Sequence, residues 1–131
     1  VKLPNFKASF ITENFFAHVP KHRINKGHCF AWSYIAYHLF EGVEIWDTDN
    51  HAFVKYKGKF YDSDRPNGEK DWKDLPACNF GQTPYGRELV ARCQPLEEFK
   101  DLWAGNPEQY GYTWDMLETV ALETLEQGGY Q

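Results

Sequence analysis

Three residues spaced along the first half of the chain are of types that cooperate in nucleophilic chemistry. Cys29 follows Gly27 and opens an aromatic-rich run, Phe30-Ala31-Trp32-Ser33-Tyr34. A thiol at the start of a helix meets backbone N–H groups without carbonyl partners and the positive end of the helix dipole, and both favour the thiolate. Lys21, Arg23 and Lys26 add positive charge just upstream. His51 stands in Asn50-His51-Ala52-Phe53-Val54, and an imidazole can take a thiol proton and return it to a leaving group. The next stretch, Lys59-Phe60-Tyr61-Asp62-Ser63-Asp64, offers two carboxylates. Either one could orient the imidazole and stabilise its cation, the third role in a Cys-His-Asp triad.

The elements that must position these groups can be read from pattern. The apolar residues of 29–40 lie nearly all round a helix, and Gly42 beyond them suits a left-handed stop, so a helix buried on most sides is expected. A short strand is expected at 43–46 and a turn at 47–49. Residues 50–56 alternate, Lys57-Gly58 reads as a two-residue turn, and 59–62 return, which together make a β-hairpin. That turn sets Asp64 opposite His51 and Asp62 opposite Phe53, with all four side chains on one face. Pairing alone slightly favours Asp64. Against it, Arg65-Pro66 follow at once, where a strand should already be breaking.

Elsewhere a short helix is expected before Pro20. Residues 65–85, rich in Pro and Gly, read as a loop with one helical turn around Trp72, and 88–92 as a further strand. Pro95 sits where a first helical residue would, and Leu96, Phe99, Leu102 and Trp103 follow at helical spacing, so a short helix should end before Gly105-Asn106-Pro107. A last helix over 113–127 should carry Trp114, Leu117, Val120, Ala121 and Leu125 on its apolar face.

The order cysteine, histidine, acid carries a family resemblance. Gly27-His28-Cys29-Phe30-Ala31-Trp32-Ser33 resembles the nucleophile segment of papain-like cysteine proteases: glycine, any residue, cysteine, aromatic, alanine, aromatic, serine. Asn50-His51-Ala52-Phe53-Val54 followed by Gly58-Lys59-Phe60-Tyr61-Asp62 is similar to the histidine hairpin of transglutaminase-like proteins, the compact branch of the same superfamily. The resemblance spans residues 25–64. It implies an α+β domain of minimal papain-like or transglutaminase-like form, with the cysteine helix packed on an antiparallel sheet and further helices at the C-terminus. It implies Cys29 as nucleophile, His51 as base and Asp62, rather than Asp64, as orienting acid. Papain-like enzymes place an oxyanion-binding glutamine six residues before the cysteine, where this chain has Arg23. The Cys29 N–H, with Asn25 or His28, would have to serve instead, and Trp32 would join them in binding substrate.

The implied activity is hydrolysis of a peptide, isopeptide or side-chain amide through a Cys29 thioester, with transglutaminase or deamidase chemistry as a variant on the same site. A non-catalytic binding or inhibitory protein on the same fold is the alternative, and a small interaction module in which the three residues meet by coincidence is a third reading. The partner expected is a protein or peptide substrate. The 131 residues have the length of one domain, 1–131, and a monomer is expected. A net charge of −5 argues against nucleic acid as a partner, although the acids concentrate after Gln94 and leave residues 1–93 slightly positive. No apolar run is long enough for a membrane span and no signal-peptide core is present, so no membrane partner and a cytoplasmic location, the host cytoplasm included, are expected. Cys29, Cys78 and Cys93 are odd in number and few, which suits a reducing compartment. No cysteine pair has zinc spacing, Pro20 interrupts His18 and His22, and no metal or organic cofactor is implied.

Overall fold

A computed structural model describes residues 1–78 and 89–128. Helix α3 (Cys29–Leu39) runs through the core, with nine of its eleven residues buried. A helix that is apolar on every side needs partners on every side. One is α1 (Ala8–Phe15), where Thr12 Oγ1 accepts the Trp32 indole N–H at 3.0 Å. A second is α6 (Trp114–Glu126), and the third is the sheet. α3 stops at Leu39. Phe40 is already extended, Gly42 follows at φ +77°, and Leu3 pairs across this exit through its N–H to Leu39 O at 2.7 Å.

The sheet contains β1 (Glu44–Asp47), β2 (Ala52–Tyr56), β3 (Lys59–Tyr61) and β4 (Arg92–Gln94) in the order β3-β2-β1-β4, with every neighbouring pair antiparallel. The β2–β3 hairpin keeps the register of a two-residue loop, Val54 opposite Tyr61 and Tyr56 opposite Lys59. Lys57 at φ +46° and Gly58 at φ +82° both take the left-handed region, as a type I′ turn requires. The chain is thus a mixed α+β arrangement. Among the described residues no helix is long and apolar enough to cross a membrane.

Several expected boundaries move. β3 ends at Tyr61, because Asp62 accepts the Asp64 and Arg65 N–H groups on its own side chain and starts a turn instead of a rung. β1 shifts by one residue, so Asp47, expected in a turn, is a ladder residue paired with Ala52 and Arg92. The strand expected at 88–92 lies at Arg92–Gln94, where Gln94 can pair with Ile45; residue 88 and residues 79–85 of the expected loop lie outside the described residues. Around Trp72 the helical turn is a 3₁₀ turn, Trp72–Asp74, followed by a second at Pro76–Cys78.

α4 (Leu96–Leu102) begins one residue after Pro95, which is its cap. Gly105-Asn106-Pro107, expected as a break, starts α5 (Asn106–Gln109), since proline in a first turn has no N–H to lose. α6 is capped by Thr113, whose Oγ1 accepts the Met116 N–H at 3.0 Å. Its buried line is Leu117 and Ala121, with Trp114 and Leu125 partly covered, whereas Val120, expected on that face, is exposed. Leu117 and Ala121 lie one turn apart on the side of α6 that meets α3, and Val120 lies round the helix from Ala121.

Candidate active site

Cys29 is the first residue of α3 and is 4% exposed. The approach to it depends on Gly27, at φ +133°. A Cβ there would meet the Tyr110 ring at 2.6 Å, so only glycine allows both this backbone and this neighbour. The sulfur accepts the backbone N–H of Ala52 at 3.4 Å, which ties the start of α3 to the start of β2.

His51 immediately precedes β2 and is 1% exposed, with its carbonyl held by the Thr48 N–H at 2.9 Å. Its Nε2 lies 3.0 Å from Asp62 Oδ2, and its buried Nδ1 has no hydrogen-bond partner among the described residues. Burial pulls the imidazole pKa down. The hydrogen bond to Asp62 and the charges of Asp62 and Cys29 nearby more than offset this, and it rises from 6.5 to about 9. Asp62, also 1% exposed, accepts the Asp64 and Arg65 N–H groups on Oδ1 at 3.0 Å each, so its rotamer is set by the turn that follows it. The structure therefore brings Cys29, His51 and Asp62 together.

Asp64 stands elsewhere. It is exposed, and its Oδ2 accepts the Asn25 Nδ2–H at 3.0 Å. Asn25, between α2 (Lys21–Ile24) and α3, also accepts the Ser63 hydroxyl on Oδ1 at 3.1 Å. His28 and Trp32, expected beside the oxyanion and substrate, are placed otherwise. His28 Nδ1 lies 3.0 Å from the Tyr112 hydroxyl, and its ring packs on Tyr110 and Tyr112, because it precedes the helix and faces the C-terminal aromatics. Trp32 is 1% exposed and bonded to Thr12, a core residue one turn on and directed at α1.

Cys29 borders a cavity of about 710 Å³ that Asn25, Asn50, Asp47, Trp103 and Tyr110 also line. Asp47, expected in a turn, and Trp103, expected only on a helix face, are unforeseen at the site. Asp47 Oδ1 accepts the Gln94 Nε2–H at 2.9 Å and Oδ2 accepts the Trp103 indole N–H at 3.0 Å. Burial pushes the Asp47 carboxyl up, and these two bonds pull it part of the way back. Its partners are 47 and 56 residues away in sequence, so no local pattern could have announced them.

The other thiols differ from Cys29. Cys78 is buried beside Phe53 and Leu75, and burial, with Asp62 and Cys29 adding negative charge, pushes it up to about 12. Cys93 is exposed on β4, its thiol raised by partial burial and by Glu44. Among the described residues no cluster of histidine, cysteine and carboxylate could hold a metal ion. No protein-family model matches the chain, and no curated protein or solved structure matches it either.

Proposed function

We propose that this chain is a thiol-dependent acyl-transfer enzyme of compact papain-like or transglutaminase-like form. The observation that carries the reading is a buried imidazole held on Nε2 by a buried carboxylate at 3.0 Å, with a helix-opening thiol as its other neighbour and a cavity beside that thiol. A buried histidine–carboxylate pair gives up solvation that an apolar pair of similar size would not, so its presence beside a thiol and a cavity argues for use in chemistry.

The raised imidazole keeps a proton on His51 Nδ1 in place of the Cys29 thiol, so the pair reacts as sulfur anion and imidazolium. The sulfur attacks the acyl carbon, an S–C bond forms, and the carbonyl π pair moves to oxygen. The Cys29 N–H, a first-turn donor of α3, faces that oxyanion, and Asn25, which lines the cavity with Cys29, is the side-chain donor for the same role. When the intermediate collapses, the C–N bond breaks and the amine leaves with the proton from His51. Water then gives a proton to His51 and attacks the thioester, which releases the acid and the thiol. An amine in place of water gives transamidation. Asp62 keeps the ring oriented and its cation stabilised throughout.

The direct test is acylation by an activated ester. With p-nitrophenyl acetate, the folded protein should release p-nitrophenolate and carry an acetyl group on Cys29 by peptide mapping, and Cys29→Ala should do neither. One observation favours a binding protein on the same fold instead, namely the 4% exposure of the thiol. A folded chain whose Cys29 is never acylated would decide for that reading.

A further inference from the structure

Ser63 and Asp64 follow the orienting acid directly in sequence, and the acyl-transfer chemistry leaves both without a task. Each makes a hydrogen bond to the same side chain. The Ser63 hydroxyl donates to Asn25 Oδ1 at 3.1 Å, and Asn25 Nδ2 donates to Asp64 Oδ2 at 3.0 Å. A carboxylate only accepts, so the amide nitrogen must face Asp64 and the amide oxygen must face Ser63. Both ends of the carboxamide are fixed, and with them its plane. An amide nitrogen has two N–H bonds; Asp64 takes one, and no partner among the described residues takes the other, which leaves it for a ligand. Asn25 lines the cavity that Cys29 borders.

We propose that Ser63 and Asp64 are positioning residues that hold the Asn25 carboxamide in place to receive the oxyanion formed at Cys29. The proposal rests on the acyl-transfer reading. The turn that carries the clamp is itself built on Asp62, whose Oδ1 accepts the Asp64 and Arg65 N–H groups while Oδ2 holds His51. One carboxylate thereby sets both the base and, through Ser63 and Asp64, the oxyanion donor. A donor held before the reaction loses no freedom when charge develops on the oxygen, which is how such groups accelerate acyl transfer.

Two reactions of Cys29 in the full chain separate this role from a merely structural one. Iodoacetamide alkylates by displacement of iodide, S–C forming as C–I breaks, with no oxyanion. p-Nitrophenyl acetate acylates through a tetrahedral oxyanion. Asn25→Ala should slow acylation about a hundredfold and the Ser63→Ala/Asp64→Ala double variant about tenfold, with alkylation within about twofold of the unmodified chain in both. Asp64→Asn should restore near-normal acylation, because its amide oxygen still accepts the Asn25 N–H. If Asn25→Ala slows acylation and the double variant does not, the clamp is wrong and the donor stands. If Asn25→Ala leaves acylation unchanged, donor and clamp both fall. If acylation and alkylation drop together in the double variant, the two residues support the fold and the proposal is overturned. Should the unmodified chain fail to acylate at all, the acyl-transfer reading itself fails, and the proposal with it.

Discussion

Asp62 does two things at once, one with each carboxylate oxygen. Oδ1 closes a turn through two N–H groups and Oδ2 faces the His51 ring. Asp62→Asn can keep the first bond set through its amide oxygen, but it turns an N–H toward Nε2, which forces the proton of a neutral ring onto Nδ1 and removes support from the cation. Acylation of Cys29 should fall by about a hundredfold or more while thermal unfolding changes little; equal activity of the two proteins would count against the role. His51 also links site and stability. Its pKa is raised to about 9 in the folded chain, against 6.5 as the ordinary value, so the folded state holds the extra proton between those limits. Its contribution to stability is complete below about 6.5 and is lost as pH rises through about 9. Denaturant unfolding across that window should show the decline in the unmodified chain and a flatter profile in His51→Ala.

At the scale of elements, the β2–β3 turn is the clearest case of a local signal deciding structure, and also of a local compromise. Type I′ geometry puts Lys57 at φ +46°, where asparagine fits better than lysine. Lys57→Asn should stabilise the fold by about 0.5 kcal/mol, read as a higher melting temperature with the same activity. Signals of this kind explain what is legible in the sequence. The start of α3 at Cys29, the hairpin register and the capped α6 each follow from residues within a few positions of one another. Asp62 is preferred to Asp64 on the resemblance, with Arg65-Pro66 as a further sign that the strand breaks at Asp64; pairing alone leans to Asp64. What is not legible depends on partners far along the chain. β4 is placed by its pairing to β1, and the exposure of Val120 by which side of α6 meets α3.

On the scale of the whole molecule, the site exists only when distant segments close on it. Asn25 and Cys29, Asp47 and Asn50, and Trp103 and Tyr110 share the cavity wall, and Asp47 joins β1 to β4 and the end of α4 through Gln94 and Trp103. One such junction is Gly27 under the Tyr110 ring. Gly27→Ala combines a disfavoured φ with an overlap against that ring, so it should destabilise the protein by about 2 kcal/mol and displace Tyr110 from the cavity, visible as a lower melting temperature and slower acylation. None of these contacts could be read from spacing, since the residues that meet lie dozens of positions apart. The central claim, that the fold builds a working thiol from Cys29 and His51, is tested most directly by iodoacetamide alkylation near neutral pH, with each cysteine followed by peptide mapping in the folded chain, in His51→Ala and in denaturant. Cys29 should react faster than the exposed Cys93 in the folded chain, and that advantage should vanish in His51→Ala and on unfolding. Faster labelling of Cys93 in the folded chain, or a Cys29 rate indifferent to His51, would contradict the account.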